Sequence, residues 1–469
     1  MALSRRALIG GAGALALGVP LARQAAWSAR DFGRPGFSPD LPAPPPGRQA
    51  WQNWSGLQRA TPQAITFARS EADVADVLAE AAGPVRAVGS GHSFVPLVPT
   101  EGTILDIGPL AGVIAEDKAA GTITLGAGTR LQHAARLLAE RGMAFANLSD
   151  IDTQTLAGMF STSTHGTGRE LRAIHDHVEG FRIVLADGTV RDVTRTSDAA
   201  LFQAGKVSLG TLGIITRYTL RPVPAFALHR KVWVEDLASL LPRAESLWRD
   251  HRNFEFYYLP GTGRVAAITH DLHTGPVKGR PPSEDEETLA GLRALRDSVG
   301  WSNWLKRRLA LHELPDGVTE DSTDESWKLL ATGRLTKFNE MEYELPQAQG
   351  LAALNEVLAL ADATPELYFP IEVRLTAPDD AWLSMFHGGP RMSISLHCDA
   401  AEEYQFLFDR FEPVLRRHGG RPHWGKLHSL KSADLARLYP RFADFVALRR
   451  QLDSKGKLMT PYLEGLLGG

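Results

Sequence analysis

A single cysteine, Cys398, stands among the 469 residues, so no intramolecular disulfide can form and no multi-cysteine metal site can be assembled. A buried structural thiol is its expected role. An excess of one charge is missing as well. Lysine and arginine total 51 against 54 acidic residues, a formal net charge of -3, which leaves no basic footprint for nucleic acid and no polybasic membrane patch. Long apolar runs are equally scarce: Ala7–Ala22 is about 16 residues long and glycine-rich, short of the roughly 20 that span a bilayer comfortably. What is there, 43% hydrophobic and 22% charged residues, is the composition of a globular chain with about two to three domains. Chemistry on a small molecule is the default expectation.

Residues 1–28 read as an export leader, with Ser4-Arg5-Arg6 as the charged start and the apolar run behind it. The paired arginines resemble a twin-arginine signal, which makes the twin-arginine export machinery an expected partner and a periplasmic or other extracytoplasmic site the expected destination. Ala26-Trp27-Ser28 is a poor cleavage site, so retention as a membrane anchor stays open. The run Gly11-Ala12-Gly13-Ala14-Leu15-Ala16 formally matches a dinucleotide-binding fingerprint. No strand precedes it and no βαβ unit surrounds it, so the match is rejected. Residues 29–50 are rich in proline and glycine and read as a linker, and the first domain opens near Trp51.

Within that domain, Ser70-Glu71-Ala72-Asp73 predicts a capped helix with Val74, Val77, Leu78 and Ala81 on one face. A strand, Val85–Val88, then runs into Gly89-Ser90-Gly91-His92-Ser93. The two glycines permit backbone conformations that turn successive N–H groups toward one point, an anion nest suited to a pyrophosphate, with His92 beside it. Taken alone, the same loop also suits a turn with a solvent-facing histidine. Thr122–Leu125 reads as a strand and Leu131–Arg141 as a helix closed by Gly142. Thr155 to Gly168 then places four hydroxyl residues in a row before His165-Gly166-Thr167-Gly168, reading either as a polar loop or as a set of uncharged donors and acceptors. A hairpin turning at Asp187-Gly188 follows, and Leu209 to Thr216 reads as a glycine-bent buried strand containing Gly213 and Ile214. The alternation is that of a mixed α/β or α+β chain.

In order and spacing, GSGHSF (89–94), GAGTRL (126–131), STSTHGTG (161–168), LADGT (185–189) and SLGTLGIIT (208–216) resemble the FAD-binding domain of the vanillyl-alcohol oxidase superfamily. Glu340-Met341-Glu342-Tyr343, Phe369 to Arg374 and Gly420 to Lys426 extend the resemblance to the sugar-1,4-lactone oxidases and their alditol-oxidising relatives, over nearly everything from Trp51 onward. The resemblance implies an α+β fold: a two-subdomain PCMH-type FAD-binding domain over 51–224, then a substrate domain over 225–426 built on an antiparallel sheet flanked by helices. A segment over 427–469 would return to the FAD domain. It implies FAD joined covalently to His92, with Gly89, Ser90, Gly91 and Ser93 around the pyrophosphate. Gly158, Thr162, Thr164, His165, Gly166, Gly213 and Ile214 would contact the rest of the cofactor. Glu372, Arg374, His397 and Lys426 would form the polar wall facing the flavin. Two positions depart from the pattern: Ser163 where relatives usually have glycine, and Met159 where alditol-oxidising relatives carry a serine. The second argues against an acyclic polyol substrate.

Oxidising a secondary alcohol requires a base on the hydroxyl while hydride passes from carbon to flavin N5. Lys426 is the candidate; if it is held near Arg374, like charge and desolvation lower its pKa. Arg374 would stabilise charge developing on the reduced flavin, and Glu372, two residues away on a strand and on the same face, would hold a substrate hydroxyl. Without the resemblance, a cross-strand salt bridge and a solvated lysine describe the same residues. The implied activity is oxidation of a sugar lactone, with a small polar sugar-derived substrate and no metal. Gly158, at a position where similar oxidases have a small residue and related dehydrogenases an alanine, points to oxygen as acceptor, giving hydrogen peroxide. Alternatives are an alditol oxidase, a polyprenyl-phosphoryl-sugar oxidoreductase with another acceptor, and a non-catalytic flavin-binding protein. The insertion from Pro281 to Asp324 carries the acidic run Ser283–Glu287, expected to be a solvated helix start, then Trp301 and Trp304, which suit a lid or a membrane-facing surface.

Overall fold

The computed structural model describes residues 21–468. The leader's paired arginines, its apolar run up to residue 20 and the rejected glycine fingerprint lie outside the described residues. Three sheets organise the chain. The first is parallel, with Thr103–Asp106 between Ala64–Phe67 and Val85–Val88. The helix Glu71–Glu80 connects its outer strands, and Ser70 caps it in a reciprocal capping box with Asp73, satisfying N–H groups that the first turn leaves without partners.

The second sheet has five antiparallel strands, ordered Val190–Thr194, Val178–Val184, Ile214–Leu220, Thr122–Gly126, Val113–Asp117. Leu209 to Gly213 are not strand. Leu209 and Gly210 adopt φ of 53° and 64° and Gly213 a φ of 152°, so the expected buried strand is a left-handed turn followed by a strand that starts five residues later than Leu209. A side chain at Gly213 would meet Ile183 at 2.6 Å, which is why the turn can lie flat on the sheet.

The third sheet is antiparallel and eight-stranded, as expected for the substrate domain: Gly317–Glu325, Ala227–Asp236, Arg264–His273, Asn253–Leu259, Ile371–Thr376, Arg391–Asp399, Phe338–Pro346, Arg421–Pro422. The helix Gln347–Asp362 covers it with Ala353, Leu354, Val357, Leu358 and Ala361, an i, i+3, i+4 stripe, all buried. Cys398 is buried and free, and burial pushes its thiol up. The insertion contributes the helices Asp285–Val299 and Asn303–Glu313 and ends as the edge strand Gly317–Glu325. Its acidic run is not merely solvated. Glu286 accepts from the N–H groups of Leu335 and Thr336 at 2.8 and 3.1 Å, and Asp285 accepts from Arg334 at 2.7 Å. No helix among the described residues is long and apolar enough to cross a membrane.

The sheets meet where the HGTG segment docks. Gly168 N–H donates to Leu375 O at 2.8 Å, Thr167 Oγ1 to Phe254 O at 2.9 Å and Asn253 Nδ2 to Thr167 O at 2.6 Å. The C-terminal segment reaches the parallel sheet, with Val85 N–H donating to Lys457 O at 2.8 Å.

Candidate active site

A cavity opens where the strand Val85–Val88 ends. Gly89, Ser90, Gly91, His92 and Ser93 line it together with Gly158, Thr162, Gly213, Ile214 and Lys426. Gly91 adopts φ of 61°, available to glycine without strain. At Gly89 a Cβ would fall 2.0 Å from Thr155 Oγ1, so the loop and the next wall touch backbone to side chain. That wall is not a loop throughout: Leu156–Ser161 forms a short helix capped by Thr155. Ser163 follows with φ of 62°, the left-handed region that explains a glycine in relatives. Its hydroxyl lies 3.4 Å from Ser384 Oγ. Met159 is fully buried in the core and does not line the cavity, so its side chain says nothing about pocket polarity.

His92 stacks on Trp54 with ring centroids 4.4 Å apart. Burial and the nearby Lys426 push its imidazole down to about 4, so it is neutral and carries a lone pair. Its Nε2 is buried without a partner. A neutral, unpartnered ring nitrogen beside an anion nest fits a flavin cofactor bearing a pyrophosphate.

Thr164, His165 and Gly166 stand apart from this cavity. Thr164 donates to Gln154 at 3.0 Å, and Gly166 packs so tightly on Leu148 that a Cβ would sit 2.1 Å from its carbonyl oxygen. His165 is inserted between Glu342 and Glu344 of the large sheet, its Nε2 at 3.2 and 3.5 Å from their carboxylates. Burial and Arg374 oppose its charge, yet Glu342 and Glu344 raise it to about 9.

Lys426 is delivered by the segment that pairs along Phe338–Pro346, where Leu427 N–H donates to Glu340 O at 2.8 Å and His423 N–H to Glu342 O at 3.0 Å. Lys426 ion-pairs with Glu340 and lies 3.9 Å from Glu342. Arg374 and Lys426 flank opposite oxygens of the Glu342 carboxylate, so the two cations lie close with a carboxylate between them. Arg374 pairs with Glu342, and with Glu372 at 3.1 Å, because every second position of a strand faces the same side, which gathers these charges onto one buried face. Carboxylates stand between the lysine and the guanidinium. Despite burial, Lys426 and His397 hold the Glu340 carboxyl far below the usual range, and Arg374 and His165 do the same for Glu342. Glu372 also accepts from Tyr257 OH at 2.6 Å. Burial and the Glu372 carboxylate push nearby Glu255 up to about 8. Glu372, Arg374 and His397 therefore stand behind Glu340 and Glu342, off the wall that Lys426 itself lines. His165, Glu342 and His423 bring ligand atoms within 4.8 Å of one another, as do Glu340, Glu372 and His397; Arg374 and Lys426 supply the cations there.

Glu255, Tyr257, Glu342, Glu344 and His423 were not singled out from sequence as site residues. The alternation Glu340-x-Glu342-x-Glu344 carried a signal, since three glutamates on one face of a strand are either solvated or jointly paired.

The nest, the neutral histidine and the wall of paired charges define a flavoprotein oxidoreductase, and a family model for the FAD binding domain matches residues 62–194; FAD is its cofactor. The chain belongs to the D-arabinono-1,4-lactone oxidase family, whose model matches residues 218–466. It is 34% identical over 429 residues to L-gulono-1,4-lactone dehydrogenase of Mycobacterium tuberculosis, covering 89% of this chain and 99% of that one. It is 28% identical over 428 residues to mouse L-gulonolactone oxidase, covering 88% and 97%. Cholesterol oxidase from B. sterolicum shares the fold, with a TM-score of 0.74 at 16% identity, over 92% of this chain and 100% of that one.

Proposed function

We propose that the protein oxidises a CH–OH group of a sugar 1,4-lactone and that oxygen accepts the electrons, giving hydrogen peroxide. The observation that carries this reading is Lys426, on the cavity wall next to the His92 loop and backed by buried carboxylates and a guanidinium. Bound FAD supplies an acceptor for hydride and passes two electrons onward. The chain's residues do the rest. Tyr257 and Arg374 fix the Glu372 carboxylate behind the cavity wall, where it holds the Arg374 guanidinium in place. An incoming hydroxyl displaces Glu340 from Lys426; the ammonium passes a proton to the departing carboxylate, and the amine so formed takes the hydroxyl proton. Arg374, buried and anchored on two carboxylates, supplies a fixed positive charge that keeps Glu342 ionised behind Lys426.

His92 is proposed to hold FAD covalently. A bond from its ring nitrogen to the flavin methyl carbon would remove one hydrogen from each partner, with the two electrons leaving through the flavin to the acceptor. The twin-arginine leader is proposed to deliver the folded, loaded protein outside the cytoplasm. Changing Arg5 and Arg6 to lysine should leave the protein in the cytosolic fraction; unchanged export would remove that route.

Anaerobic stopped-flow reduction by L-gulono- and D-arabinono-1,4-lactone tests the chemistry. Lys426→Met should slow reduction by roughly a hundredfold or more, the scale for a positioned base, with FAD retained. A near-normal rate would remove Lys426 from the proton transfer. The relatives' names divide between oxidase and dehydrogenase, so the acceptor needs its own measurement. A Cβ at Gly158 would meet only Thr155 Oγ1, at 3.3 Å, so Gly158→Ala should fold, keep its anaerobic reduction rate and reoxidise more slowly in air. Wild-type reduced protein that persists in air but reoxidises quickly with a quinone or cytochrome would make the protein a dehydrogenase.

A further inference from the structure

Alcohol oxidation leaves one proton inside the protein. Hydride goes to the flavin, and Lys426 with Glu340 is left holding one proton more than before. The wall behind Lys426 offers that proton a path. Lys426 Nζ lies 3.9 Å from one Glu342 carboxylate oxygen, and His165 Nε2 lies 3.2 Å from the other and 3.5 Å from Glu344 Oε1. His165 Nδ1 faces Gly166 O at 2.9 Å. A carbonyl oxygen can only accept, so Nδ1 keeps its hydrogen and Nε2 is the nitrogen that exchanges. One nitrogen thus stands between two carboxylates, able to give its hydrogen to Glu344 and take another from Glu342.

The path ends at Glu344. This residue is fully buried, and neither of its carboxylate oxygens has a hydrogen-bond partner among the described residues. Ser393, its cross-strand partner, is also fully buried with an unpartnered hydroxyl, within the roughly 5 Å that separates side chains directly opposite each other. The cations that face Glu344 are held elsewhere. Arg374 pairs with Glu342 and Glu372, Arg391 donates to the Glu344 backbone oxygen at 2.9 Å, and Arg421 donates to the carbonyls of Met385, His387 and Leu438. Burial pushes the Tyr439 hydroxyl up, so it stays neutral. Glu340 and Glu342 have cations that keep them ionised and can only pass a proton on. Burial, with Glu342 beside it, pushes Glu344 up to about 7 against the pull of His165 and Arg374, so it can keep one.

We propose that Glu344 stores the substrate's proton between the two halves of the catalytic cycle, receiving it from Glu342 through His165 Nε2. Every transfer moves a proton and no electrons. Lys426 gives one to Glu342 and recovers one from Glu340; His165 gives its Nε2 hydrogen to Glu344, and Glu342 replaces it. Reduction adds a negative charge in the cavity that His423 and Lys426 line, which favours the neutral carboxyl. Reoxidation removes that charge and draws the proton back along the same groups. Delivery from the substrate rests on the lactone reading, whereas storage rests on the buried row alone.

The test therefore supplies electrons from an electrode and uses no lactone. At about pH 8, infrared difference spectra of the FAD-loaded protein should gain, on reduction, the C=O stretch of a protonated carboxyl, shifted in D2O. The band should be missing from Glu344→Gln, move in frequency in Glu344→Asp, and persist in Glu255→Gln, whose carboxyl burial also raises but which lies off this path. In the same pH range the wild-type midpoint potential should fall twice as steeply with pH as that of Glu344→Gln, two protons per two electrons against one. No carboxyl band in the wild type, the same band in Glu344→Gln, or equal slopes would each overturn the proposal. A band under electrode reduction in a protein that lactones fail to reduce would support storage and overturn only the substrate reading.

Discussion

Two contacts around the nest decide whether a flavin can be held, and both are matters of single atoms. His92 offers a buried, partnerless Nε2, and Gly89 leaves no room for a methyl group against Thr155. Acid precipitation of the purified protein should leave flavin on the polypeptide, and His92→Ala should release it with the fold intact. Gly89→Ala must displace Thr155, which caps Leu156–Ser161, so that variant should lose flavin at least tenfold more readily in the ratio of flavin to protein absorbance. Free flavin from the denatured wild type would reject the covalent bond; full flavin retention in Gly89→Ala would reject the steric reading of the nest.

At the level of strands, the stripe Glu340-Glu342-Glu344 on Phe338–Pro346 gathers Lys426, Arg374 and His165 onto one buried face. Its charge balance makes stability depend on pH. His165 is raised to about 9 in the folded protein, above its unfolded value near 6.5. A group raised on folding stabilises fully below its unfolded pKa, and that contribution disappears as pH rises through the folded one. Burial pushes Glu344 up to about 7; a raised carboxyl has the same sign, with stability lost as pH rises. Urea denaturation should therefore show stability falling between about pH 6.5 and 9. His165→Gln should be less stable at pH 6 and should flatten that slope; an unchanged slope would show that the pair titrates elsewhere.

Across the full chain, Arg86 ties distant segments together. Its guanidinium donates to Leu97 O, Gly210 O, Leu458 O and Leu209 O at 2.7–2.8 Å. These join the nest loop, the left-handed turn before Ile214 and the C-terminal segment. Burial lowers it to about 10, yet it remains charged at neutral pH. Arg86→Met should cost on the order of 3 kcal/mol, the usual scale for leaving buried partners without a charge they were arranged around, measured by chemical denaturation. It should also loosen flavin binding, because the two cavity walls at Leu97 and Leu209-Gly210 lose their common tie. A loss below about 0.5 kcal/mol, the range of surface changes, would make the arginine incidental.

How far the chain could be read before folding follows from the range of each interaction. Local patterns were legible: the Ser70 cap, the strand Val85–Val88 and the hairpin at Asp187-Gly188 depend on neighbours within a few residues. The cofactor nest was legible too, because glycine spacing is itself a statement about backbone. Which charge faces which was not. Lys426 meets Glu340 across 86 residues, Arg374 meets Glu342 across 32 and His165 lies against Thr376 across 211. Those pairings depend on strand order and register, which no local rule specifies. The left-handed turn at Leu209-Gly210 escaped for the same reason, since Arg86, 123 residues away, donates to its buried Leu209 carbonyl. The amino-acid order alone thus determined the family, the cofactor and the elements with local signals, but not the turn at Leu209–Gly213 or the short helix Leu156–Ser161. Long-range packing determined the charge partners and the identity of the second wall behind Lys426, because a buried charge is stable only opposite a partner that the fold delivers.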